Sequence, residues 1–113
     1  MLRTVLKSKL HRARVTDVLI DYEGSIEIDE NLMDEVGIAA YEQVHVFNIN
    51  NGHRFVTYAI PNKRGDRVIS INGAAARLAQ INDRIIIVAY GIIDSDKESI
   101  IPKILVLDEN NQI

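Results

Sequence analysis

The stretch Val44-His45-Val46-Phe47-Asn48-Ile49, then Asn50-Asn51-Gly52, then His53-Arg54-Phe55-Val56-Thr57-Tyr58-Ala59-Ile60 decides the fold class. Two runs rich in β-branched and aromatic residues flank an Asn-Gly turn, which is the pattern of a β-hairpin. Similar runs lie to either side, at Leu2–His11, Val15–Ile20, Ile26–Ile28, Val68–Ile71, Arg84–Ile93 and Ile100–Leu107. Pro61–Asp66, with its Pro, Asn and Gly, reads as a second turn. Two stretches switch to helical spacing. Asp29–Val36 places Leu32, Met33 and Val36 on one face, with Asp29 as N-cap and Gly37 as stop. Asn72-Gly73-Ala74-Ala75-Ala76-Arg77-Leu78 opens on a cap-like Asn and continues in helix formers. Eight strands and two single-turn helices predict a small, mainly β barrel, with the topology left open.

The length, 113 residues, fits one domain spanning 1–113. A chain of this size buries roughly 60–70% of its unfolded surface, enough for a core without disulfide or metal staples. No Cys is present, which excludes thiolate nucleophiles and Cys-based metal sites, and no other metal site is evident. Apolar runs such as Ile85–Tyr90 are far shorter than the ~20 residues of a spanning helix. Lys7, Lys9, Arg12 and Arg14 interrupt any signal-like segment, so no membrane is expected and the cytoplasm is the default compartment. Net charge −3 and 5% aromatic content argue against nucleic acid as a partner.

Four stretches can carry chemistry. Alternation puts Lys7, Lys9 and His11 on one face of the first strand, either an anion-binding face or the lysine protection of an edge strand. Tyr22-Glu23-Gly24-Ser25 reads either as a polar turn or as a Gly-Ser peptide whose hydroxyl attacks the preceding carbonyl. Arg54 and Tyr58 share a strand face about 13 Å apart, while Thr57 points the other way; they read either as a guanidinium clamp and a phenol for a small acid or, with Phe55, as core and rim residues of a barrel. Asn72–Ala75 lacks side-chain bulk, so it reads either as a place where a ligand or another backbone can approach or as an ordinary helix N-terminus with a small-residue packing face.

In this order and spacing, Leu2-Arg3-Thr4, Lys7–Ala13, Tyr22–Ser25, Asn51–Ile60 and Ile71–Ala76 closely resemble the pyruvoyl-dependent aspartate 1-decarboxylase family over residues 2 to about 90. Asp21 and Arg77 stand where members commonly carry His, and the tail after Leu107 is shorter than in many members. The resemblance implies a double-psi β-barrel, assembled as a homotetramer with active sites between subunits. It implies a proenzyme that cleaves itself between Gly24 and Ser25 into chains 1–24 and 25–113. Ser25 would become a self-made pyruvoyl group, the only cofactor, whose ketone condenses with the substrate amine. Thr57 would assist processing, Tyr58 would donate the proton, and Arg54 and Lys9 would hold the carboxylates of L-aspartate. Tyr22, His11, Asn72, Gly73, Ala74 and Ala75 would line the pocket. The product would be β-alanine, a precursor of pantothenate and coenzyme A. The competing reading is a non-catalytic β-barrel module that binds an anionic ligand through Lys7, Lys9 and Arg54.

Overall fold

A computed structural model describes residues 1–113. Its elements are β1 (Leu2–Arg14), β2 (Asp17–Leu19), β3 (Ser25–Asp29), α1 (Glu30–Val36), β4 (Gln43–Asn48), β5 (Arg54–Asn62), β6 (Ile69–Asn72), a 3-10 helix (Gly73–Leu78), β7 (Arg84–Asp94) and β8 (Lys103–Val106). Every expected strand is present. The Asn-Gly hairpin is too, with Gly52 at φ +77° and its N–H donating to the Asn48 carbonyl.

The strands lie in the order β2-β6-β3-β5-β4-β7-β1-β8. Three neighbouring pairs, β1–β8, β2–β6 and β3–β5, run parallel. Parallel neighbours need crossover connections, and the path from β3 to β5 runs through α1 and β4. Such crossings separate a double-psi barrel from an up-and-down one. Alternate residues feed one core: Leu10 and Ala13 of β1, Ile26 and Ile28 of β3, Val44 and Val46 of β4, Ala59 of β5, Ile69 and Ile71 of β6, Ile85 and Ile87 of β7. Each fully buried Leu or Ile contributes roughly 1.5–3 kcal/mol.

Asp29 locks α1 to the β5–β6 turn. Its Oδ1 accepts the Asn31 N–H at 2.8 Å, while Oδ2 accepts those of Gly65 at 3.0 Å and Arg67 at 2.7 Å. Burial alone pushes this carboxyl up, but the three N–H donors and the Arg67 charge outweigh it and hold the pKa below its ordinary value. A carboxyl with a depressed folded pKa stabilises fully above its unfolded pKa, near ~3.9, and loses that stability as pH falls through the folded value. Denaturant midpoints measured from pH 6 downward should therefore fall below about pH 4, and the fall should be shallower in Asp29→Asn. At neutral pH, Asp29→Ala should cost about 2–4 kcal/mol, from a lost cap plus two orphaned N–H groups.

Three local expectations are corrected. β1 is no edge strand, since β7 and β8 flank it. A bulge between Leu6 and Ser8 takes Lys7 out of the face it was expected to share with Lys9 and His11. Its Nζ donates to the Gly37 carbonyl at 2.7 Å and pairs with Glu42 at 2.6 Å, so Lys7 is spent on the fold. The segment after Asn72 is a 3-10 helix, and the Asn72 side chain does not cap it.

Candidate active site

Ser25 opens β3 opposite Asn72 of β6, in an antiparallel pair whose next rung joins Ile26 to Ile71 in the core. Alternation therefore turns Ser25, Glu27, Ser70 and Asn72 to the other face, where Ser25, Ser70 and Asn72 are nonetheless buried. Asn72 Nδ2 donates to Ser25 Oγ at 3.2 Å and to Glu27 Oε2 at 2.9 Å. Ser70 Oγ donates to Asn72 Oδ1 at 2.8 Å. The hydroxyl of Ser25 thus sits at the end of a hydrogen-bonded chain, held in place rather than wet.

The preceding residues are exposed, but their backbone is cramped from one side. Gly73 takes φ +75°, and a Cβ there would lie 2.6 Å from Gly24 Cα, 2.8 Å from Gly24 N and 3.0 Å from the Tyr22 carbonyl oxygen. A Cβ on Gly24 would meet nothing within 4 Å, so the crowding is one-sided. Gly73 is the seat on which Gly24 and the peptide just before it rest. Any side chain at position 73 would lift that peptide and strain its own backbone.

β5 turns Thr57 and Tyr58 to opposite faces. Its pairing with β4 is regular from Phe47–Arg54 to Gln43–Tyr58, without a bulge. Arg54, Val56 and Tyr58 emerge on the exposed outer face, while Thr57 pairs with the buried Val44 on the inner side. In the parallel β3–β5 ladder Ile26 matches Ala59 in the core. One position earlier stand Ser25 and Tyr58, so their side chains share the outer face at about one strand spacing, ~4.8 Å.

Lys9 reaches the same outer face from three strands away. Val56, His45, Val88 and Lys9 form one cross-strand row over β5, β4, β7 and β1, a span of roughly 14 Å. Phe47 pairs with Arg54 in the next row, and the guanidinium carbon lies 4.4 Å from its ring centroid. Neither Arg54 nor Lys9 makes an ion pair, so both cations are available to an anion. His11 is half-buried with Nδ1 unpartnered. Burial, then Lys9, Arg12 and Arg84, push its pKa below the usual imidazole value, which leaves it neutral near pH 7. Tyr22 and Ala74 are exposed, and Ala75 packs against the core rim.

The structure thus brings together Gly24, Ser25, Asn72 and Gly73, aligns Tyr58 and Arg54 along the same face, and leaves Lys9 and His11 on a distant strand. Neither cavity of the chain, one of about 240 Å³ beside His45 and Tyr90 and one of about 290 Å³ beside Lys7 and Lys103, includes Ser25 or Arg54. Sequence reasoning passed over Glu27 and Ser70. Period-two spacing from Ser25 and Asn72 was the signal available.

The family model described as aspartate decarboxylase matches residues 1–113. A protein of Albidiferax ferrireducens named aspartate 1-decarboxylase is 50% identical, over 100% of this chain and 84% of its own length. One of the same name from Thermoanaerobacter pseudethanolicus is 53% identical, over 99% of this chain and 97% of its own. The rationally designed mkDPBB_sym_86 protein aligns with a TM-score of 0.48 at 15% identity, covering 74% of this chain and 91% of that one. The non-catalytic module is not favoured, and the chain belongs to the aspartate decarboxylase family.

Proposed function

We infer that this chain cuts its own backbone between Gly24 and Ser25, and that the matured protein decarboxylates L-aspartate to β-alanine and CO₂. The observation that carries the reading is the buried Ser25 hydroxyl, fixed by Asn72 beside a glycine peptide pressed against Gly73. Ser25 Oγ adds to the Gly24 carbonyl carbon, the Gly24–Ser25 C–N bond breaks, and the hydroxyl proton passes to the Ser25 nitrogen. Enforced proximity favours this step. Thr57, two positions before the Ala59 that pairs with Ile26, is the hydroxyl we assign as donor to the carbonyl oxygen that gains charge. Loss of the Ser25 Cα proton then breaks the Cβ–Oγ bond and releases the Gly24 carboxylate. The dehydroalanine left behind takes up water and loses ammonia, which gives a pyruvoyl end on residues 25–113.

The residues around Ser25 suit such a group, because the Asn72 amide that held a hydroxyl oxygen can equally donate to a ketone or carbonyl oxygen. When present, the pyruvoyl supplies a ketone that draws off the electrons released with CO₂. Arg54 clamps one substrate carboxylate by its planar fork, and Lys9 adds positive charge. Tyr58, on the face of Ser25, returns a proton to the carbon that lost CO₂. Tyr22, His11, Asn72, Gly73, Ala74 and Ala75 form the walls. One chain encloses no pocket at Ser25, and its outer face exposes Val56, Tyr58, Tyr90 and Ile92. Further copies on that face, in a homotetramer, would bury these side chains and close the site between subunits.

Denaturing mass spectrometry of purified, warmed protein tests this. Two fragments that divide after Gly24 are expected, the larger gaining mass on borohydride reduction. A whole chain after prolonged warming, or a free amine on Ser25 in active material, overturns the reading.

A further inference from the structure

We propose that Glu27 is a positioning residue for self-cleavage: it fixes which way the Asn72 amide faces, and so decides that Ser25 Oγ accepts a hydrogen bond there instead of donating one. The inference rests on the self-cleavage reading above and adds a residue to it.

The argument is one of donor and acceptor counting. A carboxamide has one end that only accepts and one that only donates, and a half-turn of the side chain exchanges them. Ser25 and Ser70 cannot choose between the two orientations, because a hydroxyl donates or accepts as its neighbour requires. An ionised carboxylate only accepts. Glu27 Oε2 lies 2.9 Å from the Asn72 amide, so the nitrogen must face it. The second N–H of that nitrogen then meets Ser25 Oγ at 3.2 Å, and Oδ1 takes the Ser70 proton at 2.8 Å. Asn62 Nδ2, 3.4 Å from Glu27 Oε1, steadies the carboxylate from its other side.

The consequence falls on the nucleophile. With Asn72 donating, one Oγ lone pair remains for the Gly24 carbonyl carbon and the Ser25 proton is free to pass to the Ser25 nitrogen. With the amide reversed, that proton would be tied to Oδ1, an amide oxygen too weakly basic to carry it away. Asn72 is fully buried, so water cannot substitute for the missing choice.

Glu27→Gln keeps the shape but removes the obligate acceptor, since its amide presents either end. Time courses of cleavage by mass spectrometry should show Glu27→Gln about tenfold slower than the parent, the size of one oriented hydrogen bond, with melting temperature within about 2 °C. Ser70→Ala, which leaves Glu27 in control, should slow cleavage by no more than about twofold. In an Asn72→Ala background Glu27→Gln should add nothing further, because it acts through Asn72. Cleavage of Glu27→Gln at the parent rate overturns the inference, as does a full additional penalty in the Asn72→Ala background. If the Asn72→Ala chain does not fold, the ranking of Glu27→Gln below Ser70→Ala decides alone, and a reversed ranking overturns the inference. A parent chain that never cleaves sinks the self-cleavage reading and this one together, whereas a parent that cleaves beside an unimpaired Glu27→Gln sinks only this one.

Discussion

Replacing Ser25 by Ala is expected to leave a single 113-residue chain after prolonged warming, with no CO₂ released from L-aspartate. The substitution removes one oxygen and little else. Ser25 is 1% exposed and its backbone is paired with Asn72, so the barrel should persist, at a cost near the ~0.5–1.5 kcal/mol of one hydrogen bond. No hydroxyl remains to attack the Gly24 carbonyl, and no ketone can form. Circular dichroism should therefore match the parent and melting should shift by only a few degrees, while both chemical readouts fall to background. A Ser25→Ala chain that divides after Gly24, or that turns over aspartate, contradicts the assignment of Ser25.

The second large effect is expected at Arg54. Arg54→Ala should still cleave at close to the parent rate, because the guanidinium lies on the outer face of β5, with Val56 between it and Tyr58 along that face. Turnover of aspartate should fall through a KM raised at least about 30-fold, since a substrate carboxylate left without its charged partner costs about 2–5 kcal/mol. Arg54→Lys separates charge from shape: an ammonium restores attraction but not the two-point fork, so its KM should lie between the two. The lost contact with the Phe47 ring adds about 0.5–1 kcal/mol of destabilisation, visible in melting but too small to mimic the kinetic loss. An unchanged KM in Arg54→Ala removes this residue from the substrate site.

Much of this architecture is legible in the sequence because the signals are local. Apolar runs, most of them rich in Val and Ile and bounded by turn signals, mark the eight strands, Asn51-Gly52 marks the hairpin, and Asp29 and Gly37 bracket α1 as its cap and left-handed stop. What sequence spacing does not reveal is set by contacts distant along the chain. Lys7 looks like part of a basic stripe until a bulge in β1 hands it to Glu42, 35 positions later. Asn72 looks like a helix cap, yet its amide is taken by Ser25 and Glu27, more than forty positions earlier. The site divides in the same way. Ser25 and Tyr58 could be named from their motif, but that they share a face while Thr57 does not follows from the Ile26–Ala59 rung of a parallel ladder. Gly73 reads as an absence of bulk; only in three dimensions is it the surface under Gly24.

The placement of β1 has a bearing on when the proposed self-cleavage could begin. This strand lies between β7 and β8, both of which come far later along the chain. The barrel cannot close around it until those two late strands are in place. On the proposed cut after Gly24, the leading piece would keep Leu10, Ala13 and Val15 sealed in the interior. It should stay lodged in the mature particle as a non-covalent stave, lost only when the whole barrel comes apart.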